Sequence, residues 1–425
     1  MSRIKGKAVV AQSGGPTAVI NASAAGVIET ALANGPVFPA VYGSYNGILG
    51  VLKEEMFDLG QEDPREIARL RRSPSAALGS CRFKLKDFDK NRADYERILE
   101  VFKADDVRYF FYIGGNDSMD TADKVARLAG EMKYEMRVMG VPKTIDNDLA
   151  FTDHCPGYGS VARYTAVTAM EAGRDNESLY TADPCTVMEA MGRNAGWIAA
   201  SAGLARRVPE DAPHLIYLPE AAFDAGRFVA DVKECLRQFR RCFVVTGEGI
   251  RDAQGQFVAG TGGAFGRDAF GHRQLGGAGQ ALRQLIEKEV GVKCRYNNAG
   301  TSQRNAMHCA SATDVAEAYM AGAAAVQAAV SGTTGKMITL VRSENGGYRC
   351  TTGLVDLAKV ANAEKPVPKE FINAGGNGVT EAFLAYARPL VAGAAEIETG
   401  PDGLPVYARL AKHFVGKKTG REYKA

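Results

Sequence analysis

Val107-Arg-Tyr-Phe-Phe-Tyr-Ile113, running straight into Gly114-Gly115-Asn116-Asp117, decides how this chain is read. A short apolar run rich in aromatic and β-branched residues and closed by glycine reads as a buried strand. The segment after it, through Leu128, has helical character. The same sentence of sequence occurs earlier: Ala8-Val-Val-Ala11, then Ser13-Gly14-Gly15-Pro16-Thr17, then a helix-like stretch from Ala18 to Leu32 that stops at Asn34-Gly35. Asn or Gly just past a helix is a common stop. Further strands are expected at Arg137–Val141, Cys242–Thr246 and Met337–Val341. Alternating strands and helices imply an α/β protein whose mainly parallel sheet is covered on both faces. In such folds ligands bind beyond the C-terminal ends of the strands, and the polar motifs of this chain all follow strands.

The 425 residues suggest two or three compact units. Apolar residues at 46% and charged residues at 24% fit a globular chain with a large core. A net charge of +3 is too small to indicate a nucleic-acid or membrane surface. No signal-peptide core and no run of about 18 apolar residues is present, which points to a cytoplasmic chain with no membrane span. Cys81, Cys155, Cys185, Cys235, Cys242, Cys294, Cys309 and Cys350 form no C-x-x-C pair and are expected to be reduced, mostly packed thiols. The five histidines (His154, His214, His272, His308 and His413) lack metal-ligand spacing and read as structural or surface residues.

Ser13–Thr17 is either a phosphate-binding turn, in which glycine backbone approaches an anion at a helix N-terminus, or simply a tight turn. It is not a Walker A loop, since no Gly-Lys-Ser/Thr closes it. Gly114-Gly115-Asn116-Asp117-Ser118 offers an acid for Mg2+ or for shaping a donor pocket, and equally a helix cap. Pro142-Lys143-Thr144-Ile145-Asp146-Asn147-Asp148 is the densest polar run. In an extended chain Thr144, Asp146 and Asp148 project to one face. Two acids so close call for a metal, a lysine or a substrate proton between them. One carboxylate is suited to take a proton from a hydroxyl while the other organises Mg2+, and Lys143 is suited to a phosphoryl group in transfer. Met191-Gly192-Arg193 and Thr246-Gly247-Glu248-Gly249 add an arginine fork for phosphate and an acid for hydroxyls, each weak alone. Arg295 and Arg304 flank a polar loop, Tyr296 to Gln303.

Taken in order, Gly-Gly-x-x-Ser, Thr-Ile-Asp-Asn-Asp, Met-Gly-Arg and Gly-Glu-Gly-Ile resemble the phosphofructokinase family from about Lys7 to past Arg304. The resemblance implies two similar Rossmann-like three-layer α/β/α domains with the active site in the cleft between them. The expected division is residues 1–150 for a pyrophosphate and Mg2+ side, 151–315 for a sugar-phosphate side, and 316–425 packing back on the first domain. It implies Gly14 and Arg82 at the donor phosphates, Asp146 as the base at the sugar O1 hydroxyl, and Thr144, Ile145 and Asp148 around sugar and metal. Met191, Gly192, Arg193, Glu248 and Arg304 would bind fructose 6-phosphate, Arg193 also steadying the transition state. Arg295 would be lent across a subunit interface, which implies a homo-oligomer, dimer or tetramer.

Asp117 and Lys143 stand where ATP-using members have glycine, and pyrophosphate-using members resemble this chain at both positions. A carboxylate at 117 fills and charges the space for a nucleotide α-phosphate, and Lys143 adds a cation for a compact leaving phosphate. The implied reaction is therefore reversible phosphoryl transfer from inorganic pyrophosphate to fructose 6-phosphate, a step of glycolysis and gluconeogenesis. An ATP-using kinase and a non-catalytic regulatory subunit are the alternatives. Three positions depart from the family pattern. Asn116 replaces the usual metal Asp, so the metal set reads Asn116, Asp117 and Asp148. Thr301 and Pro184 replace phosphate-pocket residues, which leaves room for a longer sugar such as sedoheptulose 7-phosphate.

Overall fold

The computed structural model describes residues 4–83, 85–86, 90–258, 277–343, 346–361 and 363–423. His272 and the first three residues lie outside them. The chain forms two β-sheets with helices on their faces. Strands β1 (Lys7–Gln12), β2 (Val41–Ser44), β3 (Met56–Asp58), β4 (Val107–Gly114) and β5 (Arg137–Pro142) share the first sheet with β10 (Lys336–Arg342) and β11 (Cys350–Asp356). Its order is β11-β10-β5-β4-β1-β2-β3, parallel except at the two outer pairs. The second sheet is wholly parallel and has four strands: β6 (Cys185–Ala190), β7 (Leu215–Tyr217), β8 (Cys242–Gly247) and β9 (Cys294–Asn298), in the order β7-β8-β6-β9.

Period-two alternation explains why both faces are covered. Val9, Phe110 and Tyr112 pack into the core on one face of the first sheet. Their neighbours Ala8, Val10, Tyr109 and Phe111 pack into the core on the other. The second sheet repeats this, with Met188, Phe243 and Val245 on one side and Val187, Cys242 and Val244 on the other. The chain crosses between the sheets through the helix Tyr158–Leu179 and returns through Ala312–Val330. That second helix lies against Ile20–Leu32, where a Cβ on Gly26 would stand 2.1 Å from the Tyr319 carbonyl oxygen. All eight cysteines are free, and no helix among the described residues is long and apolar enough to cross a membrane.

Three local expectations change. The first helix begins at Ile20, not Ala18, and the Thr17 hydroxyl accepts the N–H groups of Val19 and Ile20. Its N-terminal donors are thus used within the chain rather than turned to an anion. Asn116, Asp117 and Ser118 form the first turn of the helix Asn116–Glu131, whose N-cap is Gly115, and no side chain caps it. The run after β5 is not extended: the backbone bends at Ile145 and Asp146, and Asn147 takes φ 54°. Asn147 holds this left-handed turn by accepting the Cys155 N–H and donating to the Tyr386 hydroxyl.

Candidate active site

A cleft of 570 Å³ opens where the C-terminal ends of the two sheets face each other. The loops after β1, β4 and β5 supply Gly14, Gly15, Gly115, Asn116, Asp117, Lys143, Thr144, Asp146 and Asp148. Those after β6 and β8 supply Met191, Arg193, Asn194, Ala195 and Glu248. Although the run after β5 bends, its side chains still alternate: Ile145 and Asn147 are buried behind it while Thr144, Asp146 and Asp148 face the cleft.

The wall after β1 is backbone and cation. Gly14 has φ 77°, and a Cβ there would stand 3.2 Å from Lys143 Nζ. That ammonium is buried and donates to the Gly15 carbonyl at 2.7 Å. Arg304 Nη1 and Arg82 Nη2 come within 3.3 and 3.9 Å of a Cβ placed on Gly15. Three cations thus converge on two glycines, an arrangement suited to a polyanion lying against the backbone. Burial pushes Lys143 down to about 8, with Arg304 and Arg82 adding to the effect and Asp146 opposing it. Burial likewise lowers Arg304, helped by Arg82.

Asp146 sits at the seam. Burial raises its carboxyl to about 7, and Asp148 and Glu248 push the same way against Lys143 and Arg193. Asp148 is raised chiefly by burial, with Glu364 also opposing its charge. A carboxyl group whose pKa lies near neutrality beside a cation-lined wall has the properties of a general base.

On the far wall Glu248 accepts the Gly192 N–H at 3.2 Å, and burial raises its carboxyl. Gly249 lets the two loops touch: a Cβ there would stand 1.8 Å from the Arg193 carbonyl oxygen. Asn116 Oδ1 is buried without a hydrogen-bond partner, a carbonyl oxygen of the kind Mg2+ accepts, and Asp117 and Asp148 line the same cleft. The donor set fits a hard divalent cation.

Not every candidate reaches the cleft. Ile145 packs in the apolar core that also holds Trp197. Gly192 contributes its N–H to Glu248 rather than to the lining. Arg295 lies on β9, half-exposed, with Nε donating to Asp183 at 2.8 Å. Glu364 and Asn194 line the cleft and carry no motif that marks them. His154, Glu317 and Cys350 bring potential ligand atoms within 4.8 Å of one another. His154 is already held by Asp153 at 2.8 Å and Glu317 at 2.6 Å, and Glu317 also accepts from Tyr348, so these groups satisfy each other as an ionic network.

The chain matches the phosphofructokinase family over residues 7–329. It is 48% identical over 414 residues, 97% of this chain and 98% of the other, to the pyrophosphate–fructose 6-phosphate 1-phosphotransferase of Xanthomonas campestris. The enzyme of the same name from Methylococcus capsulatus is 47% identical, with 98% of each chain covered. The crystal structure of a pyrophosphate-dependent phosphofructokinase from Marinobacter aquaeolei superposes with a TM-score of 0.90 at 42% identity, covering 99% of this chain and 100% of that one. Motif order, sheet architecture and full-length similarity agree, and the chain belongs to the phosphofructokinase family.

Proposed function

We propose that the chain transfers one phosphoryl group reversibly from inorganic pyrophosphate to O1 of fructose 6-phosphate, giving fructose 1,6-bisphosphate and phosphate. The observation that carries this reading is the buried Lys143 ammonium, held on the Gly15 carbonyl beside Gly14, in one cleft with Asp117. A compact diphosphate fits between these groups, whereas a nucleotide would bring its α-phosphate toward the Asp117 carboxylate. The names of the full-length relatives agree with this donor.

Asp146 accepts the proton of the sugar O1 hydroxyl as that oxygen attacks the near phosphorus. The bridging P–O bond breaks and phosphate departs against Lys143 and Arg82. Arg193 meets the charge spread over the transferring group, and positioning does most of the work in such a loose transition state. Mg2+, when bound, neutralises phosphate charge; Asp117, Asp148 and the Asn116 carbonyl would hold it, and Thr144 would orient the Asp148 carboxylate. Met191, Gly192, Glu248 and Arg304 would hold the sugar phosphate. In this reading residues 1–150 form the donor unit and 151–315 the acceptor unit. Of residues 316–425, β10 and β11 return to the donor unit and extend its sheet, whereas Val367, Phe383, Ala387 and Leu390 pack in the core of the acceptor unit, so the expected return to the first domain holds for only part of this segment. Arg295, half-exposed and outside the cleft, would serve a neighbouring copy in a homo-oligomer.

A coupled assay with fructose 6-phosphate and Mg2+, supplied in parallel with pyrophosphate or ATP, tests the reading. Turnover with pyrophosphate alone is expected; turnover with ATP alone overturns the donor assignment.

A further inference from the structure

Residues 363–367 lie beyond the matched span 7–329 and pass between the two halves of the cleft. Toward the catalytic loop, Glu364 forms a β-bridge with Leu149, and the Lys365 N–H donates to the Asp148 carbonyl at 2.8 Å. The Lys365 ammonium, buried over the Trp197 ring, donates to the carbonyls of Thr152 at 3.0 Å and Asp153 at 2.8 Å. Toward the second sheet, Glu364 Oε1 accepts from Asn194 Nδ2 at 3.0 Å, and the Lys365 carbonyl accepts the Trp197 indole N–H at 2.9 Å. Glu220 Oε1 accepts both the Gly196 and the Val367 N–H, each at 2.9 Å.

One short strap therefore grips the loop that carries Asp146 and Asp148, and also the chain directly after Arg193. These loops follow strands of different sheets, so nothing in either sheet's register sets their separation. Misplacing reacting groups by ~1 Å costs ~10²-fold in rate, so a direct tie between them has kinetic value. Most of the strap's bonds use main-chain atoms or buried groups. The Glu364–Asn194 bond is different: it joins two exposed side chains, and both line the cleft.

We propose that Glu364 is a positioning residue, which through Asn194 holds the Met191–Arg193 loop in register with Asp146. The inference rests on the phosphoryl-transfer reading for the reaction, but not on the choice of donor. Its geometry requires an acceptor oxygen at 364 and a donor at 194, not a negative charge as such.

The test is a double-mutant cycle of Glu364→Ala and Asn194→Ala, with Glu364→Gln as the conservative variant. It is run on the full chain with whichever donor the wild type uses, so an error in donor assignment leaves it intact. Each alanine variant is expected to lower kcat by about 10-fold while the KM for the donor stays within about 2-fold. The double variant should lose no more than either single one, and Glu364→Gln, which keeps the acceptor oxygen, should recover most of kcat. Wild-type kcat in both alanine variants overturns the proposal. So do additive losses, or a Glu364→Gln variant as slow as Glu364→Ala, since charge rather than position would then be at work. A fall in thermal midpoint without a change in kcat likewise assigns the contact to stability alone.

Discussion

The two walls of the cleft are built differently. The wall from the first sheet is contiguous: Gly14 and Gly15 follow β1, Asn116 and Asp117 follow β4, and Lys143 to Asp148 follow β5, on three neighbouring parallel strands. Its chemistry is backbone and buried cation, with Lys143 as the fixed point. The wall from the second sheet is assembled from fragments. Arg193 and Glu248 follow β6 and β8, but Glu364 comes from the C-terminal strap; Arg304, on the helix Ser302–Asn305, reaches toward Gly15 on the opposite wall, and Glu220, after β7, braces the chain following Arg193 from behind the cleft lining. In the proposed reading the first wall needs little more than a place for charged oxygens, while the second must orient a sugar and is braced by long-range side-chain bonds. On that reading phosphate recognition is compressed into short motifs, whereas sugar positioning is spread along the chain.

Asp146 stands on the first wall but feels Glu248 and Arg193 of the second, so its loss should be the largest effect: Asp146→Ala is expected to lower kcat by ~10²–10⁴ with either substrate varied. Initial rates on folded protein check this, and near-wild-type turnover would remove Asp146 from the role of base.

The Asp117→Gly, Lys143→Gly double variant attacks the donor wall alone. Pyrophosphate kcat/KM should fall by ~10² or more and some ATP use should appear, while the KM for fructose 6-phosphate stays close to wild type. Full pyrophosphate activity in that variant would break the distinction between the walls.

A pH profile sharpens it further. Asp146, raised to about 7, must be ionised to take a proton, so kcat/KM should fall as pH drops below that value. Lys143, lowered to about 8, must be charged, so kcat/KM should fall again above it. Lys143→Arg, which stays charged, should erase the alkaline limb; an unchanged limb would place that ionisation elsewhere.

The smallest effect is expected on the acceptor wall. Glu248→Gln keeps an oxygen for the Gly192 N–H, so the KM for fructose 6-phosphate should rise only about 3- to 10-fold, with the KM for pyrophosphate unmoved. A larger effect on pyrophosphate would show the walls to be one unit.

The donor wall was the legible half. Its residues stand directly after strands announced by Ala8–Ala11, Val107–Ile113 and Arg137–Val141, and glycine turns mark where the backbone must come close. Thr144, Asp146 and Asp148 do share the cleft, although an extended chain is not the reason. Asn147 takes a left-handed turn secured by Cys155 and Tyr386, and Tyr386 is far away in sequence. The family resemblance implies a place for Ile145 around the sugar and metal, yet an isoleucine next to an apolar core goes into it. Glu364 was invisible for the opposite reason: a lone acid between Ala363 and Lys365 has no periodicity or spacing to distinguish it from a surface charge.

The sequence by itself determined the α/β class, the strands β1, β4, β5, β8 and β10, the family and the polar motifs of the cleft, because these depend on local period and on short motifs. Only the tertiary structure decided which of those groups meet. It buried Lys143 against Gly15, turned Arg295 toward Asp183 outside the cleft, returned β10 and β11 to the first sheet, and laid residues 363–367 across both loops. Burial, long-range hydrogen bonds and the meeting of two sheets are properties of the packed chain, and it is desolvation in that packing that brings the Asp146 and Lys143 pKa values to within reach of neutral pH.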